Sequence, residues 1–167
     1  MKTLIFIRHA HRDKIHGEPD NGLSKKGWLQ AADTANALQR RAAQWEGQQP
    51  KLLTSPKLRC METADALASV MKIKAVIDDD LDEAAPKESS SDFVGRIKDF
   101  LARWKRSPVT VTMVCSHGDW IPEAIRILTG KECDIKKGAS IERALKDSGE
   151  VEIVHRRDPS VSERTFA

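Results

Sequence analysis

Arg8, His9, Ala10, His11 and Arg12 stand in a row near the start of the chain. Ser116, His117, Gly118 and Asp119 form a second polar group far from it in sequence. Between them lie Ser55 and Arg59, and an acidic run that holds Asp78, Asp79, Asp80, Asp82 and Glu83. A guanidinium presents a planar fork of donors that fits phosphate oxygens. An imidazole offers a lone pair or a proton near neutral pH. A carboxyl group can deliver and retrieve a proton. Such a set describes an anion site, with phosphate as the natural ligand. Taken singly, each residue has a plainer reading: a surface histidine, a salt-bridged arginine, a solvated acidic loop. Their common placement argues against those readings, because each group directly follows a short apolar, strand-like run.

Those runs alternate with helical patterns. Residues 3–7 are apolar and β-branched, the composition of a buried strand. A turn-rich stretch with Gly17, Pro19, Asp20, Asn21 and Gly22 follows. Ser24 reads as the N-cap of a helix from 25 to about 45, with Trp28, Ala31, Ala35, Leu38 and Ala42 on one face. Residues 51–54 read as a strand, and Ser55-Pro56 as the cap and first position of a helix to about 71. A third strand at 74–77 leads into the acidic loop. Ser91 or Asp92 then caps a helix to about 106, with Phe93, Ile97, Phe100, Leu101 and Trp104 as its apolar stripe. Residues 109–115 are the strongest strand pattern, 121–128 a helix closed by Gly130, and 139–145 with 151–155 a hairpin around Asp147-Ser148-Gly149. Alternating strands and helices predict an α/β fold: a three-layer α/β/α sandwich with a mainly parallel sheet. In such sheets ligands bind beyond the carboxyl ends of the strands, where the polar groups fall. One domain is expected over 1–157, followed by a frayed tail over 158–167.

The ordered motifs resemble those of the histidine phosphatase (phosphoglycerate mutase-like) superfamily. Arg8-His9-Ala10 is similar to its Arg-His-Gly signature. Leu23-Ser24, Gly27, Gln30 and Ala31 resemble its next element. Ser55-Pro56, Arg59 and Thr63-Ala64 resemble its Ser-Pro, Arg and Thr-Ala block, and Ser116-His117-Gly118 its second histidine motif. Ala139-Ser140-Ile141 before a hairpin also fits. The likeness runs over nearly the whole chain. It departs at Ala10, where glycine is usual and the extra methyl group needs room; short phosphohistidine phosphatases of the superfamily also look like Arg-His-Ala.

The resemblance implies a mechanism. His9 attacks phosphorus and becomes a phosphohistidine. Arg8, Arg59 and His117 hold the phosphoryl oxygens. A carboxylic acid protonates the leaving oxygen and then acts as base on water. Glu83 takes that role, with Asp82 as the alternative. His11, Arg12 and His16 are rim or surface residues. The arginines supply the positive charge, so neither a metal nor another cofactor is expected.

With 167 residues the chain is long enough to bury a core, and a net charge of +3 does not by itself suggest nucleic acid. No apolar run approaches the roughly 20 residues of a membrane span, and none makes a signal peptide. The three cysteines, Cys60, Cys115 and Cys133, show no zinc-ligand spacing and read as reduced thiols in a cytoplasmic protein. Little chain is available for a lid after the third strand. An open, shallow pocket is expected, suited to a phosphorylated small molecule or a phosphoprotein. Two other readings stand beside the phosphatase: a phosphate-binding module with little turnover, and a phosphoglycerate-type mutase.

Overall fold

The computed structural model describes residues 1–15 and 19–160; His16, Gly17, Glu18 and the tail from 161 lie outside the described residues. Six strands form one sheet: β1 (Lys2–Arg8), β2 (Lys51–Thr54), β3 (Ala75–Ile77), β4 (Val111–Ser116), β5 (Ser140–Leu145) and β6 (Val151–Arg157). Their order is β3-β2-β4-β1-β5-β6. The first four run parallel, and the β5–β6 hairpin adds antiparallel to β1. Four helices cover it: α1 (Lys25–Arg41), α2 (Leu58–Met71), α3 (Ser90–Arg106) and α4 (Trp120–Thr129). The expected α/β/α architecture is present.

The pleat of β1 explains the layering. Leu4 and Phe6 face one side, and Ile5 and Ile7 the other. The first pair joins Val114, Ile141 and the apolar faces of α3 and α4. The second pair joins Met113 and Cys115 with α1 and α2. Trp120, fully buried at the start of α4, packs its ring 5.4 Å from Phe100 and 6.4 Å from Phe6. Among the described residues no helix is long and apolar enough to cross a membrane.

Three local expectations need correction. The α1 stripe is rotated: Trp28 is exposed, and the buried face is Gly27, Gln30, Ala31, Thr34, Ala35 and Leu38. The helix proper ends at Arg41 and tightens into a 3-10 turn, Ala42–Trp45. Ser55 and Pro56 precede α2 rather than open it. Lys57 is the N-cap residue, and Asp20 from a distant loop accepts the Leu58 N–H at 2.8 Å. Ser89, not Ser91 or Asp92, caps α3 by accepting the Asp92 N–H at 3.0 Å. Beyond β6 the chain turns back on α1, where the Asp33 carboxylate accepts the Ser160 N–H at 2.9 Å.

Candidate active site

The carboxyl ends of β1, β2 and β4 converge with the start of α2. β1 ends at Arg8, and the next residue is tied to β4 at once: the His9 N–H donates to the Ser116 carbonyl at 3.0 Å. The following residues are held by α1 and α2. The Ala10 N–H donates to Thr63 Oγ1 at 3.1 Å, and the His11 N–H to Gln30 Oε1 at 2.9 Å. Ser24 N returns a bond to the His11 carbonyl at 3.0 Å. Gly27 is required by this closeness, since a Cβ there would lie 1.9 Å from the His11 carbonyl oxygen. The polar residues of α1 and α2 thus fix the backbone around His9. The methyl group of Ala10 is buried with Leu23 and Ala31.

His9 itself is only 5% exposed. Its Nδ1 lies 2.9 Å from the Ala10 carbonyl oxygen, which can only accept. That contact assigns the proton to Nδ1 and leaves Nε2 with a lone pair. Arg59 Nε donates toward Nε2 at 3.4 Å. Burial, with smaller contributions from Arg59, Arg8 and Lys137, draws the His9 pKa down to about 3 against the opposing pull of the Ala10 carbonyl. The ring is therefore neutral at ordinary pH.

His117, 1% exposed, stands edge-on to His9 with ring centroids 5.4 Å apart. Its Nε2 meets Ser55 Oγ at 2.7 Å, and its Nδ1 faces Arg59 Nη2 at 3.4 Å. Because the guanidinium only donates, the neutral ring carries its proton on Nε2. Burial is the first cause, and Arg59 the second, of a pKa lowered to about 2.

Arg59 lies between the two rings, 3% exposed, and its Nη2 reaches Glu83 Oε2 at 2.7 Å. Among the described residues its Nη1 is buried without a hydrogen-bond partner, with Asp20 Oδ1 at 3.9 Å. Arg8 donates from Nη1 to the Ile135 carbonyl at 2.8 Å, while its Nε is likewise buried without an acceptor. Buried donors are almost always paired. Two orphaned guanidinium donors beside two neutral histidines make a site for an oxyanion.

A model of the histidine phosphatase superfamily (branch 1) matches residues 4–86. The chain belongs to the histidine phosphatase superfamily. No curated protein matches it in sequence. Solved structures share its fold at low identity. A putative α-ribazole-5'-P phosphatase from Escherichia coli superposes with a TM-score of 0.79 at 17% identity, over 96% of this chain and 98% of that one. The protein histidine phosphatase SixA complexed with tungstate gives 0.75 at 18% identity, over 94% and 97%. A mycobacterial glucosyl-3-phosphoglycerate phosphatase complexed with VO3 gives 0.75 at 16% identity, over 96% and 100%.

Of the residues that the superfamily's motifs single out here, Arg59 touches His9, His117 and Glu83, and Arg8 lies alongside them. Glu83 is 38% exposed at the mouth, with Oε2 also 3.8 Å from His117 Nδ1. Asp82 is near as well: its Oδ1 lies 3.7 Å from His117 Nε2, and its Oδ2 3.6 Å from Lys57 Nζ. His11 turns away, with Nδ1 2.7 Å from Ser24 Oγ. His16 lies outside the described residues. Among the described residues no group of three or more His, Cys, Asp or Glu side chains is placed to hold a metal ion.

Sequence reasoning makes Ser55 a helix cap, whereas it orients His117, and reads Asp20 only as a turn residue, whereas it caps α2. Lys137 reads from the sequence as solvated charge beside Lys136, but its loop is fixed by the Gly138 N–H to the Arg8 and His9 carbonyls at 3.1 and 3.2 Å. The Ser-Pro motif was a signal for Ser55. For Lys137 there was none.

Proposed function

We propose that this chain is a metal-independent phosphatase that hydrolyses phosphomonoesters or phosphohistidine through a phosphohistidine on His9. The observation that carries the reading is the His9 Nδ1 contact with the Ala10 carbonyl at 2.9 Å. It leaves a neutral Nε2 lone pair facing the guanidinium of Arg59.

In the first step Nε2 of His9 forms a bond to phosphorus. The bond from phosphorus to the leaving oxygen breaks, and its electron pair stays on that oxygen. Glu83 delivers a proton there. Arg8 and Arg59 pair their free donors with the phosphoryl oxygens, and His117 joins them. In the second step the Glu83 carboxylate takes a proton from water as that oxygen attacks phosphorus. The bond to His9 breaks, its electron pair returns to Nε2, and phosphate leaves. Asp82, one residue before Glu83 and also beside His117, is the alternative proton donor. Structures of two fold relatives were solved with VO3 and with tungstate, oxyanions that can stand in for a phosphoryl group. The Glu83 carboxylate lies at a half-open mouth, which supports a phosphorylated small molecule or a phosphoprotein side chain as substrate.

One contact favours a second reading. Arg59 Nη2 is already engaged by Glu83 at 2.7 Å. If that pair persists around bound phosphate, the chain would bind phosphate and turn over little. Release of phosphate from p-nitrophenyl phosphate in excess EDTA decides between them. Turnover abolished in His9→Ala supports the phosphatase. Tight phosphate binding without turnover, from both this ester and a phosphohistidine protein, supports the binding module.

A further inference from the structure

The loop that carries Glu83 is built around one guanidinium. Arg96 projects from the second turn of α3, over the ring of Phe93 at 4.9 Å. Its Nη1 donates to the carbonyls of Asp80 and Asp82, both at 2.8 Å. Its Nη2 donates to the carbonyl of Glu83 at 2.8 Å and to Glu88 Oε1 at 3.0 Å. Its Nε donates to Glu88 Oε2 at 2.8 Å. A guanidinium has five N–H groups, and these contacts use every one.

Glu88 closes the loop behind it, since its Oε1 also accepts the Ala85 N–H at 3.1 Å. Other contacts pin the same segment to the sheet. Ser116 Oγ donates to the Leu81 carbonyl, and Trp120 Nε1 to the Asp80 carbonyl, both at 2.6 Å. Asp119 Oδ2 accepts the Ala84 N–H at 3.0 Å. Of these, Arg96 alone touches the backbone of both Asp82 and Glu83. It touches neither side chain and none of His9, Arg59 or His117.

We infer that Arg96 is a positioning residue for the proton donor: by gripping the carbonyls of Asp80, Asp82 and Glu83 in the acid loop, it sets the Glu83 carboxyl over the leaving oxygen. This rests on the reading of Glu83 as general acid. The proton it governs is the one passed to the leaving oxygen as the phosphorus–oxygen bond breaks. An aryl leaving group such as p-nitrophenolate departs without much help. An alkoxide does not. Loss of Arg96 must therefore show as a selective defect on alkyl phosphates. Lysine is no substitute, because a single ammonium cannot span three carbonyls and a carboxylate.

The test compares p-nitrophenyl phosphate with β-glycerophosphate in the native protein, Arg96→Ala, Arg96→Lys, Glu83→Gln and Arg96→Ala/Glu83→Gln. Glu83→Gln is expected to lose about 100-fold or more in kcat/KM on the alkyl ester, and far less on the aryl ester. That ratio reports the phosphoryl transfer to His9 and not the later hydrolysis common to both esters. Arg96→Ala should follow that pattern in kcat/KM with a loss of about 10- to 100-fold, as for a misplaced group, with vanadate inhibition near native. The double variant should be no slower than Glu83→Gln alone. Arg96→Lys carries the same test if the alanine variant does not fold. Equal losses on both esters, or a multiplied loss in the double variant, would overturn the positioning role while leaving Glu83 as the acid. If Glu83→Gln itself treats the two esters alike, the assignment of Glu83 fails and the inference fails with it.

Discussion

The hydroxyl oxygen of Ser55 lies 2.7 Å from Nε2 of His117, at the bottom of the site. The bond links the end of β2 to the end of β4 and sets the ring so that Nδ1 faces Arg59. The Lys57 N–H also points to this hydroxyl, at 3.3 Å. Ser55→Ala removes the short bond to this buried ring nitrogen and leaves it the weaker contact with Cys60 Sγ at 3.5 Å. The expected loss of stability is about 1 kcal/mol, the net value of a neutral hydrogen bond. The expected fall in kcat/KM is about 10-fold, because His117 is free to turn. Urea melts and steady-state kinetics check the two separately. An unchanged kcat/KM would mean that the orientation of His117 does not matter to turnover.

Acid should destabilise this protein earlier than carboxylates alone would. Burial first, and the neighbouring cations after it, lower the pKa of His9 to about 3 and of His117 to about 2. In the unfolded chain both return to about 6.5. Below that pH the unfolded state binds protons that the folded state refuses, so stability falls as pH drops. The loss continues until the folded histidines titrate. Its limiting slope is about 1.4 kcal/mol per pH unit for each ring. Between about pH 6.5 and 5 most carboxylates are still ionised in either state, which isolates the histidines. Urea midpoints should decline over this window in the native protein and less steeply in His9→Asn or His117→Asn. Parallel slopes in all three would refute neutral burial.

Much of this arrangement is legible in the residues because it follows from local rules. Strands end where apolar runs end, so His9, His117 and Arg59 could be brought to one edge of the sheet without a structure. The errors arise where a polar side chain serves a distant backbone. Hydropathy places the α1 stripe through Trp28. The buried face instead includes Gln30 and Thr34, which satisfy the His11 N–H and the Gly138 carbonyl, at 2.9 and 2.6 Å. Ser55-Pro56 has the chemistry of a helix start, yet the Ser55 hydroxyl is claimed by His117, and Asp20 caps the helix instead. Arg96 sits on the apolar side of α3 between Phe93 and Ile97, and one sequence gives no sign that the loop from Asp80 to Glu88 closes around it. Such contacts depend on how α3 approaches the acid loop, which is a tertiary fact.

Gly118 offers a substitution that separates activity from stability. A Cβ at this position would lie 2.7 Å from Arg8 Cζ and 2.8 Å from its Nη2. The obstacle is the end of a long side chain, so the fold can yield by moving it. The guanidinium is held on its other side by the Ile135 carbonyl, and a shift spoils its aim at the phosphoryl oxygens. Gly118→Ala should keep a near-native melting temperature. Its kcat/KM should fall by about 10- to 100-fold, the scale of a misplaced catalytic contact. Near-native activity would show that Arg8 does not need this seat.

Lys137 tests the electrostatics of the mouth. It is half-buried in the loop before β5, and burial first, then Lys14, Arg8 and Arg12, lowers its pKa. Lys137, Lys14 and Arg12 have no ion-pair partner among the described residues. Like charges gathered together repel one another and attract an anion. Lys137→Ala relieves repulsion, so the variant should be at least as stable as the native protein. It should bind tungstate or vanadate about 3- to 10-fold more weakly at low salt. Because the cluster is open to solvent, the gap should narrow at about 0.5 M salt, where screening shortens the range of the field. Inhibition constants measured across ionic strength check both parts. An affinity difference that does not respond to salt would point to a direct contact between Lys137 and the bound oxyanion instead of a field effect.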